Sequence, residues 1–203
     1  MKLHWSPRSP FVRKVMIAAH ELAIVDRIRT IRSVAAMTQP NPAIMADNPL
    51  SKIPTLVLDD GTVIVDSAVI VEYLDAMSGN RLIPAAGPER WVALSRQALG
   101  DGFLDLLVLW RSERTKPAGK RTAALCDAFQ VKVTATLDRF EMLAGELAAG
   151  PFGIAQITIG CALSYADFRF DDLQWRAGRP ALAAWHGQFA ARPSMVATEI
   201  VDD

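Results

Sequence analysis

Three short runs in the first third of the chain carry residues whose types and spacing could do chemistry. Trp5-Ser6-Pro7-Arg8-Ser9-Pro10-Phe11 places two hydroxyls at a helix start. Serine caps helices and proline is tolerated in the first turn, so Ser9 is expected as the cap of a helix beginning at Pro10. A hydroxyl at that positive helix end could also donate a hydrogen bond to a bound thiolate. Asn48-Pro49-Leu50-Ser51-Lys52-Ile53-Pro54-Thr55-Leu56 sets a proline at the entrance to a strand, a place confined to edges and special turns. A trans Pro54 would simply mark an edge. A cis Pro54 would bend the chain and turn the N–H and C=O of Ile53 outward, where an extended peptide could pair with them. Val65-Asp66-Ser67-Ala68-Val69-Ile70 opens another helix. Ser67 reads as its cap, the free N–H groups behind it suit an anion, and Asp66 could hold a cation. The pair would grip an amino-acid head group, or serve only as a cap beside a surface acid.

Other chemistries find little support. His4, His20 and His186 are scattered and fit no serine–histidine–aspartate relay. Cys126 and Cys161 have no metal-ligand spacing around them and read as buried reduced thiols, so no metal site is expected. Lys plus Arg and Asp plus Glu both number 22, which gives no overall field to attract nucleic acid. Met1–Trp5 lacks the apolar core of a signal peptide, and no apolar run reaches the roughly 18 residues of a membrane span. A cytoplasmic protein with no membrane partner is expected.

The elements that must position these runs change character along the 203 residues, of which 51% are hydrophobic, enough for a sizeable core. Lys2–Trp5 reads as a strand, and Pro10–Ala23 carries Val12, Val15, Met16 and Ala19 at helical spacing. Ile24–Ile31 reads as a second strand. Thr38–Pro49 reads as a loop with a short helix. Thr55–Leu58 and Thr62–Val65 flank Asp59-Asp60-Gly61, a hairpin signal. Ile70, Tyr73, Leu74 and Met77 close the unit with a helix. The order is β-α-β-loop-β-β-α over residues 1–77, then a punctuated linker over 78–87. Long helical patterns fill 88–203: Trp91–Thr115, Lys120–Ala149, Thr158–Phe170 and Pro180–Ala191. An α/β unit followed by an all-α unit, each with its own core, is expected.

That order, with Ser-Pro-Phe-Val-Arg-Lys-Val opening the first helix, Lys-Ile-Pro-Thr-Leu before the hairpin and Asp-Ser-Ala-Val-Ile after it, resembles the cytosolic glutathione transferases, bacterial members with a Ser- or Cys-type site among them. The resemblance covers essentially the whole chain, with its specific motifs in the first 77 residues. It implies a thioredoxin-like N-terminal domain and a helical C-terminal domain, glutathione as co-substrate without a permanent cofactor, and a homodimer with a role in detoxification. Ile53, ahead of a cis Pro54, would pair with the cysteinyl part of glutathione. Asp66 and Ser67 would hold the γ-glutamyl head, and Lys52 would reach the glycyl carboxylate. Ser9 stands where the family carries its activating residue. Ser6 is its rival, because a Ser-Pro pair after the first strand is similar to another class's pattern. One departure concerns Thr158-Ile159-Gly160-Cys161, where many members carry a capping box with Asp at the position of Cys161. The helix there is expected to be less firmly closed.

The implied reaction is attack of the glutathione thiolate on a small apolar electrophile. A thiol with a pKa of about 8.5 is only about 3% thiolate at pH 7. Lowering it by about two units takes roughly 2.7 kcal/mol, which one charge-assisted hydrogen bond and a helix terminus can supply. The electrophile is expected between the two units on the stripe Phe103, Leu106, Leu107 and Trp110, whose spacing also fits plain core. Arg111, Glu113 and Arg114 beyond it read as a solvated helix end. Glutathione-dependent reduction or isomerisation is the alternative reaction, though a serine in place of cysteine counts against the redox branch. A non-catalytic interaction module on the same fold is the third reading.

Overall fold

The computed structural model describes residues 1–202 and divides into two compact units. Unit 1 joins Met1–Gly87 to the chain from Pro193 onward, and unit 2 is Pro88–Arg192.

Unit 1 is built on four strands, β1 (Lys2–Trp5), β2 (Arg29–Arg32), β3 (Thr55–Val57) and β4 (Val63–Ile64), in the order β2-β1-β3-β4. β1 runs parallel to β2, pairing Leu3 with Thr30, and antiparallel to β3, pairing His4 with Thr55. β3 and β4 form the expected hairpin, with Leu56 opposite Ile64. A parallel pair needs a crossover, which α1 (Pro10–Glu21) supplies. Its face of Val12, Val15, Ile17, Ala18 and Ala19 is buried. After the short α2 (Pro42–Met45), α3 (Ser67–Met77) adds Ile70, Val71 and Leu74 to the same core, where Leu3 and Leu56 of the sheet are wholly inaccessible.

The expected strand over Ile24–Ile31 is corrected. Ala23 ends α1 at φ +57°, a tight turn occupies Val25–Arg27, and pairing begins only at Arg29. The mixed apolar and charged residues of this stretch imitate strand alternation while the chain is still reversing direction.

Asp75 fixes the stretch expected as a linker, its carboxylate accepting from the N–H groups of Arg81, Leu82 and Ile83 at 2.8–2.9 Å. Residues 78–87 thus fold with unit 1. The end of the chain departs from the expectation that 88–203 forms one helical domain. From Pro193, where α8 (Pro193–Val196) begins, the chain packs on α1. Ser194 Oγ donates to Glu21 Oε1 at 2.6 Å, and Arg13 donates to the Met195 carbonyl at 3.2 Å.

Unit 2 is four helices, numbered α4 (Pro88–Arg114), α5 (Ala123–Ala149), α6 (Ile154–Arg169) and α7 (Pro180–Ala190) in continuation. α4 and α6 run side by side in the same direction, since Gly100 lies against Thr158 and the Trp110 ring sits 5.2 Å from Phe170. A Cβ on Gly100 would stand 2.8 Å from Thr158 Cγ2, so glycine is what permits the approach. α6 starts earlier than its sequence suggested. Gly153 is the cap residue, and Gln156 Oε1 accepts from its N–H at 3.1 Å while Gln156 Nε2 donates to the Pro151 carbonyl at 2.9 Å. Thr158 and Cys161 are therefore interior positions, fully buried, and the expected weak closure at Cys161 does not apply.

Candidate functional site

The strand register gathers the three chemistry-bearing runs at one end of the sheet. Antiparallel pairing of His4 with Thr55 sets the start of β3 beside the end of β1. Pairing of Leu56 with Ile64 sets the end of β4 beside the same start of β3. Ser6–Ser9 leaves β1, Ile53-Pro54 enters β3 and Asp66-Ser67 leaves β4, all at that one end. Neighbouring strands are about 4.8 Å apart, so β1 to β4 spans roughly 10 Å, the scale of an extended tripeptide.

Each run has local structure suited to a ligand. Ser9 caps α1, its Oγ accepting from the Val12 N–H at 3.3 Å. That bond uses a lone pair and leaves the hydroxyl proton to be donated elsewhere. Ser6 is buried at 7% exposure, and its Oγ accepts from the Arg8 N–H at 3.4 Å. It lines a cleft of about 180 Å³ with Trp5, Met16, Thr198 and Glu199. The Ile53–Pro54 bond is cis, as is Val65–Asp66. Among the described residues, the N–H and C=O of Ile53 take no backbone hydrogen bond. Asp66, not Ser67, caps α3, accepting from the Ala68 N–H at 3.0 Å. Both residue types cap well, and the chain enters the helix one residue earlier than expected, which makes Ser67 its first residue. Asp66 is exposed, Ser67 is buried at 4%, and the exposed Lys52 forms no ion pair among the described residues.

Asn48 holds the Ile53 segment in place, a role that the sequence did not assign. Its Nδ2 donates to Thr55 Oγ1 at 2.9 Å and to the Lys52 carbonyl at 3.3 Å, and its Oδ1 accepts from the Leu50 N–H at 3.0 Å. Thr55 Oγ1 in turn donates to the Lys52 carbonyl at 2.8 Å. Asn48 is 3% exposed and Thr55 wholly buried, so these bonds form away from water. The preceding loop is anchored by Asp47, which accepts from Lys2 at 2.6 Å and contacts His4 Nε2 at 2.8 Å. The His4 hydrogen bond, followed by that of Lys2, holds the Asp47 carboxyl below the usual carboxylate range.

The expected electrophile stripe belongs to α4, in unit 2. Phe103, Leu107 and Trp110 are core: Phe103 packs edge-on to Phe140 at 5.4 Å, and Trp110 against Phe170. Only Leu106 is half-exposed. Glu113 is likewise buried, bonded to Lys116 Nζ at 2.5 Å and to the Thr122 N–H at 2.7 Å, which corrects the picture of a solvated helix end. His186 does meet a serine and an aspartate, with Nε2 3.0 Å from Ser164 Oγ and Nδ1 4.0 Å from Asp167. Arg176 lies 3.3 Å from the same Nδ1 and takes both oxygens of Asp167, while Ser164 donates to the Gly160 carbonyl. The imidazole is thus turned to accept from Arg176 and does not act as a base toward Ser164. No group of three His, Cys, Asp or Glu able to hold a metal occurs among the described residues, and no helix there is long and apolar enough to cross a membrane.

The model of the glutathione S-transferase N-terminal domain matches residues 8–77, and that of the C-terminal domain matches residues 112–188. The chain belongs to the glutathione S-transferase family. The GST-like protein YibF of Escherichia coli is 30% identical over 202 residues, covering 98% of both chains. A glutathione transferase family member from Pseudomonas fluorescens Pf-5, solved with bound glutathione, shares 42% identity, covers 99% of both chains and superposes with a TM-score of 0.96. A glutathione transferase family member from the same organism, solved with bound S-(propanoic acid)-glutathione, gives 41% identity, full coverage of both chains and a TM-score of 0.89. The four-stranded unit is the thioredoxin-like domain of this family member, and the helices that follow match the family's C-terminal domain.

Proposed function

We propose that this protein is a glutathione transferase that activates the glutathione thiol with Ser9 and joins the thiolate to a small electrophile held by the helical unit. The observation that carries the reading is the alignment of Ser9, Ile53 and Asp66-Ser67 across β1, β3 and β4 at one end of the sheet. The γ-glutamyl carboxylate would meet the N-terminus of α3 and the Ser67 hydroxyl, and its ammonium the free oxygen of Asp66. The cysteinyl peptide group would pair with Ile53, and Lys52 would meet the glycyl carboxylate. The sulfur would then lie over β1, at the start of α1, where Ser9 donates its proton as a hydrogen bond. Glutathione in the Pseudomonas relative supports the first half of this reading. The S-(propanoic acid) conjugate in the other supports a sulfur substituent with an acid group as an acceptable product.

A cytoplasmic homodimer serving detoxification belongs to the same proposal. Apolar faces in each unit support the dimer. Val63, Val65 and Val69 of unit 1 are 38–51% exposed beside a groove of about 440 Å³, and Trp91 and Val92 of α4 are 69% and 47% exposed. The deciding experiment is calorimetric titration with glutathione, followed by thiolate absorbance of the complex against pH. Binding with a thiol titrating well below its free value supports a transferase. Failure to bind glutathione overturns the reading and favours an interaction module. Binding with an unshifted thiol overturns activation by Ser9.

A further inference from the structure

His4 stands where two arms of the loop ahead of Ile53 meet. Its ring is 3% exposed and lies on β1, the strand beside β3. Nε2 lies 2.8 Å from Asp47 Oδ2, and Nδ1 lies 2.8 Å from Ser33 Oγ. Ser33 follows β2 and Asp47 lies just past α2, so one ring holds both ends of the connection over residues 33–47. Asp47 also accepts from Lys2 Nζ at 2.6 Å, and its ionised carboxylate only accepts, so Nε2 is the donor. Ser33, His4 and Asp47 stand in line as a hydrolytic relay would. Ser33 is 5% exposed, however, and donates to the Ile31 carbonyl at 3.1 Å, so it is no nucleophile and the line is a latch. Each arm continues to the residues just before Ile53. From Asp47 the chain passes to Asn48, whose Nδ2 reaches the Lys52 carbonyl and Thr55 Oγ1. From Ser33 it passes to Val34, whose carbonyl accepts from Asn41 Nδ2 at 3.0 Å, while the Asn41 N–H donates to Ser51 Oγ at 2.8 Å. Ser51 sits at φ +53°, in the left-handed region that favours glycine, a conformation that surrounding bonds must hold.

We infer that His4 is a positioning residue for glutathione: by holding Ser33 and Asp47 to β1, it keeps Lys52-Ile53 in the arrangement that pairs with the cysteinyl group. The inference rests on the reading of Ile53 as that group's partner. A backbone segment that adopts its binding arrangement only part of the time lowers affinity by that fraction, with no contact to the ligand changed. The Asp47 arm carries most of the effect. It is one residue from Asn48, and a hydrogen bond to a carboxylate is roughly twice as strong as one between neutral groups.

Three substitutions separate the arms. His4→Phe fills the space of the ring and removes both. His4→Gln sets an amide nitrogen near the place of Nε2 and keeps the Asp47 arm, whereas His4→Asn reaches only as far as Nδ1 and keeps the Ser33 arm. Losing one charge-assisted hydrogen bond is enough for a factor of about ten. His4→Phe should therefore bind glutathione about tenfold more weakly by calorimetry, with His4→Gln close to wild type and His4→Asn close to His4→Phe. The sulfur titration of the glutathione-saturated complex should stay fixed in all three, because Ser9 and α1 are untouched. Amide exchange of the ligand-free protein reads the latch directly at Leu50 and Ser51, whose N–H groups bond to Asn48 Oδ1 at 3.0 Å and to the Asn48 carbonyl at 2.9 Å. Exchange there should quicken in His4→Phe and return in His4→Gln. Unchanged glutathione affinity in a folded His4→Phe overturns the inference, as does a sulfur titration that moves with the affinity, or recovery by His4→Asn and not by His4→Gln. If His4→Phe does not fold, the comparison of His4→Gln with His4→Asn decides by itself. Glutathione binding by wild type, with exchange at Leu50 and Ser51 indifferent to His4, sinks the inference alone. Exchange that depends on His4 in a protein that binds no glutathione supports the latch and sinks the transferase reading instead.

Discussion

Replacing Ser9 by alanine separates its two tasks, and the structure sets the size of each. As a cap, Ser9 accepts one hydrogen bond from Val12 at 3.3 Å, near the long limit. Losing it should cost about 0.5–1 kcal/mol, a fall of about 1–4 °C in Tm for a chain of this length. As a donor to a thiolate, the hydroxyl is worth about 1.5–3 kcal/mol, which raises the bound thiol by about one to two pKa units. A thiol moved from about 6.5 to 8.5 falls from mostly ionised to about 3% ionised at pH 7. Conjugation at neutral pH should therefore slow by about one to two orders of magnitude, with glutathione affinity largely kept because Asp66, Ser67 and Ile53 are untouched. Ser9→Gly is the internal control: glycine caps almost as well but donates nothing, so stability should return and the titration should stay shifted. Thiolate absorbance against pH, read for wild type, Ser9→Ala, Ser9→Gly and Ser6→Ala, decides the matter. A titration that moves only in Ser6→Ala refutes the argument, because it would mean that the buried hydroxyl, and not the cap, faces the sulfur.

Asp66→Asn keeps a capping oxygen for Ala68 but removes the charge proposed to hold the ammonium, so glutathione should bind about ten- to a hundredfold more weakly by calorimetry at similar Tm. Asn48→Asp is nearly isosteric and keeps the acceptor for Leu50, yet loses both donors that reach Thr55 and Lys52. Glutathione affinity should fall about tenfold, and Thr55→Ser, which keeps the hydroxyl, should stay close to wild type. Asp47→Asn should cost about 1 kcal/mol near neutral pH through the weakened His4 and Lys2 bonds. Because the carboxyl of Asp47 is depressed in the folded state, its contribution is present above the unfolded carboxylate value of about 3.9 and is lost as pH falls through the folded value. Melting curves of wild type and variant should therefore converge below about pH 4.

What was legible in the sequence was local. Ser9-Pro10, Asp59-Asp60-Gly61 and the i, i+3, i+4, i+7 pattern after Ser67 each dictate a helix start, a hairpin or a buried face from a few neighbouring residues, and each element formed. Boundaries set by tertiary demands were not legible. The turn at Val25–Arg27 replaced part of a strand because α1 must reverse before β2 can pair with β1. α6 begins at Ile154 although glycine stands at its cap, because Gln156 supplies the bond from within the helix. The role of Asn48 depends on a loop folding back so that residues four and seven positions on come within reach of one amide. Helical spacing could not tell a pocket wall from core at Phe103 and Trp110, since either needs an apolar stripe.

The same physics explains why three individually weak motifs become informative together. A serine before a proline, a proline at a strand entrance and an acid before a serine each have cheap local explanations in capping and turn formation. Local explanations make no demand on where the three runs lie relative to one another. An extended peptide does, because it must find a hydrogen-bonding edge and an anion-binding helix end in line, with a thiolate donor at the far side. Two antiparallel pairings, His4 with Thr55 and Leu56 with Ile64, meet that demand by sending all three runs out of one sheet end. A slip of β3 past β1 by even two residues, which would keep every side chain on its own face, would carry Ile53 roughly 6–7 Å along the strand from Ser9. The buried bonds of Asn48 and Thr55 to Lys52 oppose such a slip at its origin, one residue ahead of Ile53. The strand register and the loop clamp are thus parts of the proposed glutathione site, although Asn48 and Thr55, both buried, are not expected to touch the tripeptide.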